Sequence, residues 1–259
     1  MSRQKELHLC SNNENFSLIA DVTIEPSSCT TFLGLQLDKN LNFKEHVNST
    51  AKKLTKALYV LSRASKALPK DVLKTLYSSL FLPHLNYGML VWGGPCMGES
   101  FFQELDKGPM SNPLNSLKNL HSLQKRAIRI ISGKKRNDHH IPLCYELQIL
   151  DLKHIYSVRS LSFFYEYIHG TLPPFFTDKL TLYSSRHSTM LIKTNYRRTK
   201  LASLSLLNTL PEIWNPLPEE VKTMIFKSKA TFIKKIKLYY LSSYNNWKCD
   251  RQTCYSCAK

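Results

Sequence analysis

Three thiols crowd the end of the chain as Cys249-x4-Cys254-x2-Cys257, beside Lys248 and Arg251. Thiolates spaced this way are zinc ligands when a fourth donor completes the tetrahedron. None lies nearby, so zinc on Cys249, Cys254 and Cys257 and free thiols in a frayed tail are both open readings. Asp138-His139-His140 invites a metal or nuclease reading, yet adjacent side chains rarely converge on one ion, and a polar loop is the simpler expectation. Two-metal phosphoryl chemistry needs paired carboxylates. No Asp neighbours another, no Asp-x-Asp occurs, and Glu219-Glu220 is the single adjacent acidic pair. That pair follows Pro218, where a helix dipole favours carboxylates at a helix start. No P-loop, Gly-x-Ser-x-Gly or His-Glu-x-x-His is present. His46, His121 and His169 are isolated and read as ordinary surface or core histidines.

The remaining chemistry is charge. The net charge is +17 over 259 residues. Windows 107–137, 179–211 and 221–249 contain no acid and hold 8, 6 and 7 Lys or Arg, while the rest of the chain is slightly acidic. Charge concentrated in this way attracts a polyanion, with phosphate backbone as the default. An anionic membrane is the competitor, although no apolar run reaches the length of a spanning helix. The eight glycines are too few for a Gly-rich nucleotide-binding α/β enzyme, and the 42% hydrophobic content is enough for a sizeable core. The odd set of seven cysteines, with no apolar leader over Met1–Cys10, predicts reduced thiols and an intracellular protein, nuclear or cytoplasmic.

The elements that must carry this charge are mainly helical. Phe16–Ile24 and Thr30–Leu37 are strand-like, with Pro26-Ser27-Ser28 between them, and predict an antiparallel ribbon. Asn42 is placed to cap a helix from Phe43, in which Val47, Ala51, Leu54, Leu58 and Leu61 form an apolar stripe and Lys52, Lys56 and Arg63 lie away from it. Pro69 starts a second helix that Pro83 stops or kinks. Residues 93–113, rich in Gly and Pro, read as a long loop. Leu117–Arg136 follows as an amphipathic helix. Leu117, Leu120, Leu123, Ala127, Ile128 and Ile131 gather on one side, and Lys118, Ser122, Lys125 and Arg129 on the other, with Arg126 at the flank. Gly133 ends it, and Lys134, Lys135 and Arg136 follow at the negative end of its dipole. Pro142–Leu147 reads as a short helix and Leu152–Ile168 as a buried one. Residues 181–200, with Arg186, Arg197, Arg198 and Lys200, read as an extended loop. Ser228 caps a last helix bearing Lys234 and Lys235 off its apolar face. Trp247 and Tyr244 lie near enough to the charge to stack on bases.

Phe32-Leu33-Gly34-Leu35-Gln36-Leu37-Asp38 and Leu41-Asn42-Phe43-Lys44-Glu45-His46-Val47 resemble the stretch after the catalytic palm of non-LTR retrotransposon reverse transcriptases, in the jockey-like group. In the same order come Pro83-His84-Leu85-Asn86-Tyr87-Gly88, Val91-Trp92-Gly93, Leu123 to Ile131, Glu146 to Leu150, Tyr196 to Thr199 and Ile213-Trp214-Asn215-Pro216-Leu217-Pro218. The resemblance covers about residues 30–245. It implies a palm-edge β ribbon over 1–42, thumb-like helices over 43–94, a linker over 95–114, a basic helical C-terminal region over 115–245 and a cysteine-containing tail over 246–259. It further implies RNA or DNA held through its phosphates, with magnesium only in a full-length parent. The family's aromatic-x-Asp-Asp strand and its partner Asp are missing, and so is the endonuclease domain, so the chain reads as a truncated, non-catalytic fragment. A translated relic without function and a basic scaffold for anionic partners are the rival readings.

Overall fold

The computed structural model describes residues 18–19, 22–23, 27–97, 115–136, 138–186, 188–194 and 197–245. The zinc reading at Cys249, Cys254 and Cys257, the stacking role of Trp247 and most of the loop expected over 93–113 lie outside these residues.

The described chain is mainly α-helical with small antiparallel hairpins, in agreement with the fold class expected from the sequence. Strands β1 (Leu18–Ile19) and β2 (Val22–Thr23) pair with each other, as do β3 (Cys29–Phe32) and β4 (Leu35–Asp38). The expected ribbon between Phe16–Ile24 and Thr30–Leu37 is therefore replaced by two local hairpins. The second run folds back on itself at Leu33-Gly34, where both residues take positive φ. Helix α1 (Lys44–Ala64) follows, then α2 (Lys70–Leu76), which passes through a π turn at Tyr77–Phe81 into α3 (Leu82–Asn86). Pro83 thus widens the helix instead of ending it. In the π turn the Leu82 N–H reaches back to Tyr77 O, one residue beyond the usual partner. Helix α4 (Met89–Met97) carries Gly93, Gly94 and Pro95 inside it, where composition had suggested a loop.

Helix α5 (Asn115–Ser132), α6 (His140–Leu147) and α7 (Leu152–Ile168) match the segments expected from periodicity. Residues 181–200 depart from expectation. They contain a hairpin of β5 (Leu182–Ser185) and β6 (Ser188–Ile192) before α8 (Lys200–Ser203). Helices α9 (Leu206–Trp214), α10 (Glu219–Lys222) and α11 (Lys229–Asn245) are the last described elements. The β5–β6 hairpin forms because the segment before α10 supplies its partners. Asn215 accepts from the Ile192 N–H and donates to the Ile192 carbonyl, each at 2.9 Å, and Trp214 Nε1 donates to Met190 O at 3.1 Å. Buried Lys222 donates from Nζ to Asn215 O, Ser188 Oγ and Glu219 Oε1 at 3.0–3.1 Å. Glu219 thereby acts in helix entry and hairpin docking.

Helix α5 lies at the centre. It packs against α1, α2, α4 and α6, while α7 packs against α4, α9 and α11, and one continuous apolar core joins them. Among the described residues no helix is long and apolar enough to cross a membrane.

Candidate nucleic-acid interface

The turn before α1 is built on Asp38. Its carboxylate accepts from the N–H groups of Asn40 and Asn42 at 3.1 Å and of Phe43 at 2.8 Å. Asn42 then accepts from the Lys44 N–H at 2.9 Å, which satisfies one of the donors left open at the helix start. The β3–β4 hairpin docks on the α3–α4 junction. The Tyr87 hydroxyl donates to Leu33 O, and Trp92 Nε1 donates to Tyr87 O at 2.8 Å. Gly88 takes φ +59°, and a Cβ there would lie 2.6 Å from Leu35 Cδ2. Buried Trp92 meets buried His46 of α1 with ring centroids 5.8 Å apart. Sequence pieces more than forty residues apart therefore meet in one small structure that sets the direction of α1.

Directed in this way, α1 buries Val47, Ala51, Leu54, Leu58 and Leu61 and turns its other side to solvent. Lys52, Lys56, Tyr59 and Arg63 fall on that side at spacings of four, three and four, one line along the helix. The line is about 16 Å long at 1.5 Å per residue, and Tyr59 in its middle is 67% exposed. Lys53 is exposed beside it. Sequence reasoning left this surface out of the candidate site. The signal was present, because residues 46–70 contain no acid and six Lys or Arg. Glu45 and Asp71 at its borders hid it within the balanced remainder of the chain.

Helix α5 behaves differently from its expected two-faced form. Lys125 is 6% exposed, and His121 and Gln124 are buried too. The helix is enclosed by α1, α2, α4 and α6, so only a narrow seam reaches solvent. Lys118, Ser122 and Arg126 are exposed on that seam and Arg129 is half-buried. Arg126, assigned to the flank, is central to the seam, and Lys125, assigned to the polar face, points inward. Arg129 donates from Nε to Asp138 O at 2.8 Å, and burial lowers its pKa from the ordinary value. Asp138 also accepts from the Lys135 N–H at 2.7 Å. These bonds hold the turn in which Lys134, Lys135 and Arg136 are exposed.

The other expected cations sit elsewhere. Arg186 is exposed at the β5–β6 turn, and Arg197 and Arg198 are exposed ahead of α8, with Arg197 Nε donating to Asn208 Oδ1 at 3.0 Å. Lys200 begins α8. On α11 Lys234 is exposed and Lys235 half-buried. Tyr244 is buried, its hydroxyl 2.6 Å from His154 Nδ1 and accepting from the Asp151 N–H at 3.1 Å, so it is committed to the core and cannot stack on a base.

Asp138, His139 and His140 diverge. Asp138 closes the turn, His139 is the residue at the start of α6, and His140 is buried against His121 with ring centroids 5.5 Å apart. Among the described residues no group of three or more His, Cys, Asp or Glu is placed to hold a metal ion.

The chain is 26% identical over 136 residues to a probable RNA-directed DNA polymerase from transposon X-element of Drosophila melanogaster. The match takes in 48% of this chain and 13% of that protein, so the chain spans a small part of the relative's length. No protein-family profile matches the chain, and no solved structure does. The similarity supports a distant relation to a transposon reverse transcriptase.

Proposed function

We propose that this chain is a nucleic-acid-binding piece of a retrotransposon-derived reverse transcriptase, drawn from the thumb and C-terminal region of the jockey-like group, and that it binds without polymerising. The observation that carries the reading is the line of Lys52, Lys56, Tyr59 and Arg63 on the solvent side of α1. Cations at this spacing meet successive phosphates, and the exposed ring between them offers a face for a base. The distant relation to a transposon RNA-directed DNA polymerase supports the same reading. So do the motif pieces that meet around Asp38, Tyr87 and Trp92, since they are the pieces that carry the family resemblance. Lys118, Arg126 and the turn Lys134–Arg136 extend the basic surface, as do Arg186, Arg197 and Arg198. On this reading a polymerase centre would be supplied by residues of a parent protein.

Anisotropy titrations with a structured RNA, a DNA duplex and a single strand, each at several salt concentrations, test it. Affinity that falls steeply and linearly on a log–log salt plot is the expected result. Absence of binding at low salt, or binding indifferent to salt, would sink the proposal.

A further inference from the structure

We propose that a groove along α11 is a docking site for an acidic amphipathic helix of a partner protein. The groove has a volume of about 740 Å³ and runs along α11 past Gln148, at the end of α6. Its lining brings the apolar Ile233, Leu238 and Leu241 together with the cationic Lys229, Lys234 and Lys237. Ile233, Lys237 and Leu241 fall on one i, i+4 row, with Lys234 and Leu238 on the next, so apolar and cationic side chains alternate along adjacent ridges.

Three features select the occupant. Among the described residues no acidic side chain lines the groove. Lys229 is paired with Glu166, while Lys234 and Lys237 make no ion pair among the described residues. Leu238 is 49% exposed, an apolar group that no element among the described residues covers. The groove is more open than enclosed, whereas a site for a small molecule encloses most of its ligand. A phosphate backbone would use the lysines and leave the apolar lining in water. A helix with apolar anchors at i, i+3 or i+4 and carboxylates beside them satisfies both, as in other helix-in-groove recognition.

The probe is a dye-labelled peptide of about 18 residues, long enough to form a helix on binding, with Leu at i, i+3 and i+7 and Glu at most other positions. The full chain at low salt should bind it, and the same peptide with Lys in place of Glu should not bind. Leu238→Asn, and separately Lys234→Gln with Lys237→Gln, should each weaken binding by about tenfold or more. Lys118→Gln with Arg126→Gln removes equal charge away from the groove and should leave binding unchanged. Circular dichroism confirms that each variant folds. The proposal is overturned if the peptide fails to bind, or if the α5 pair weakens it as much as the groove pair. It is also overturned if Leu238→Asn weakens RNA binding instead, which would give the groove to nucleic acid. Loss of RNA binding overall, with peptide binding intact, would remove the function proposed above and leave this one standing.

Discussion

Gly94 shows how much one missing methyl decides. A Cβ at this position would lie 2.2 Å from the backbone oxygen of Leu204 and 3.1 Å from the Tyr156 hydroxyl. A backbone oxygen at the end of α8 cannot rotate aside, so Gly94→Ala must part α4 from α8. At Gly88 the obstruction is the tip of Leu35, which can change rotamer, although the positive φ remains unfavourable for Ala. Gly94→Ala is therefore expected to cost ~3 kcal/mol, as overpacking in a rigid site does, and Gly88→Ala ~1 kcal/mol from backbone conformation. Urea unfolding of both variants checks the order, and an equal loss at the two sites would contradict it. These residues also mark a limit of composition. Gly93, Gly94 and Pro95 suggested a loop because Gly and Pro usually interrupt helices. Here Gly93 and Gly94 let Tyr156 and α8 approach a helix closely, and periodicity cannot report on a neighbour that distant in sequence.

At the scale of elements, α1 and α5 make opposite cases. The α1 stripe of Val47, Ala51, Leu54, Leu58 and Leu61 was legible, and all five are buried. Its reverse side was legible too, because a helix packed on one side leaves the other in water. For α5 the same reasoning placed Lys125 outside, where the structure buries it. A helical wheel gives the direction of each side chain and not the number of helices around it; with four neighbours, most directions lead inward. The ends of α7, Leu152 and Ile168, agree with the sequence reading, and the structure adds Asp151 as its N-cap, accepting from the His154 N–H. Burial also separates the cations by their expected effect on binding. Replacing Lys52, Lys56 and Arg63 together with Gln should reduce the slope of log affinity against log salt for duplex DNA by about 3. Lys125→Gln should leave that slope unchanged. Tyr59→Ala should cost single-strand binding ~1–3 kcal/mol through lost stacking, with a smaller effect on duplex. A triple variant with an unaltered slope would show that α1 does not carry the phosphate contacts.

At the scale of the whole molecule, the core contains ionisable groups whose state depends on folding. His121 and His140 are buried side by side, and neither His121 Nε2 nor either ring nitrogen of His140 has a hydrogen-bond partner among the described residues. Burial, reinforced by Lys125, lowers the His121 pKa to about 3, and the same causes, joined by His121 itself, hold His140 well below 6.5. Both imidazoles are neutral in the folded chain near neutrality. Below the ordinary histidine pKa of 6.5 the unfolded chain takes up protons that the folded one does not, so stability falls as pH falls. Each histidine contributes ~1.4 kcal/mol per pH unit to that loss, from just below 6.5 down to its folded pKa. Asp151 adds to the acid loss at lower pH. Burial alone would raise its pKa, but the neighbouring His154, which also bonds to the carboxylate, holds it far below the usual carboxylate range. Its contribution is complete above about 4 and disappears on further acidification. Unfolding free energies from urea titrations should therefore decline between pH 7 and pH 4 with a slope approaching ~2.7 kcal/mol per unit from the histidine pair. His140→Met fills a similar volume and removes two unbonded ring nitrogens, so it should preserve or raise stability at pH 7 and about halve that slope. A variant whose acid limb runs parallel to that of the natural chain would mean that another group drives acid unfolding. A shallower limb at unchanged fold would locate the acid sensitivity of the molecule where α5 meets α6, in the same helix pair that holds the basic turn Lys134–Arg136 in position.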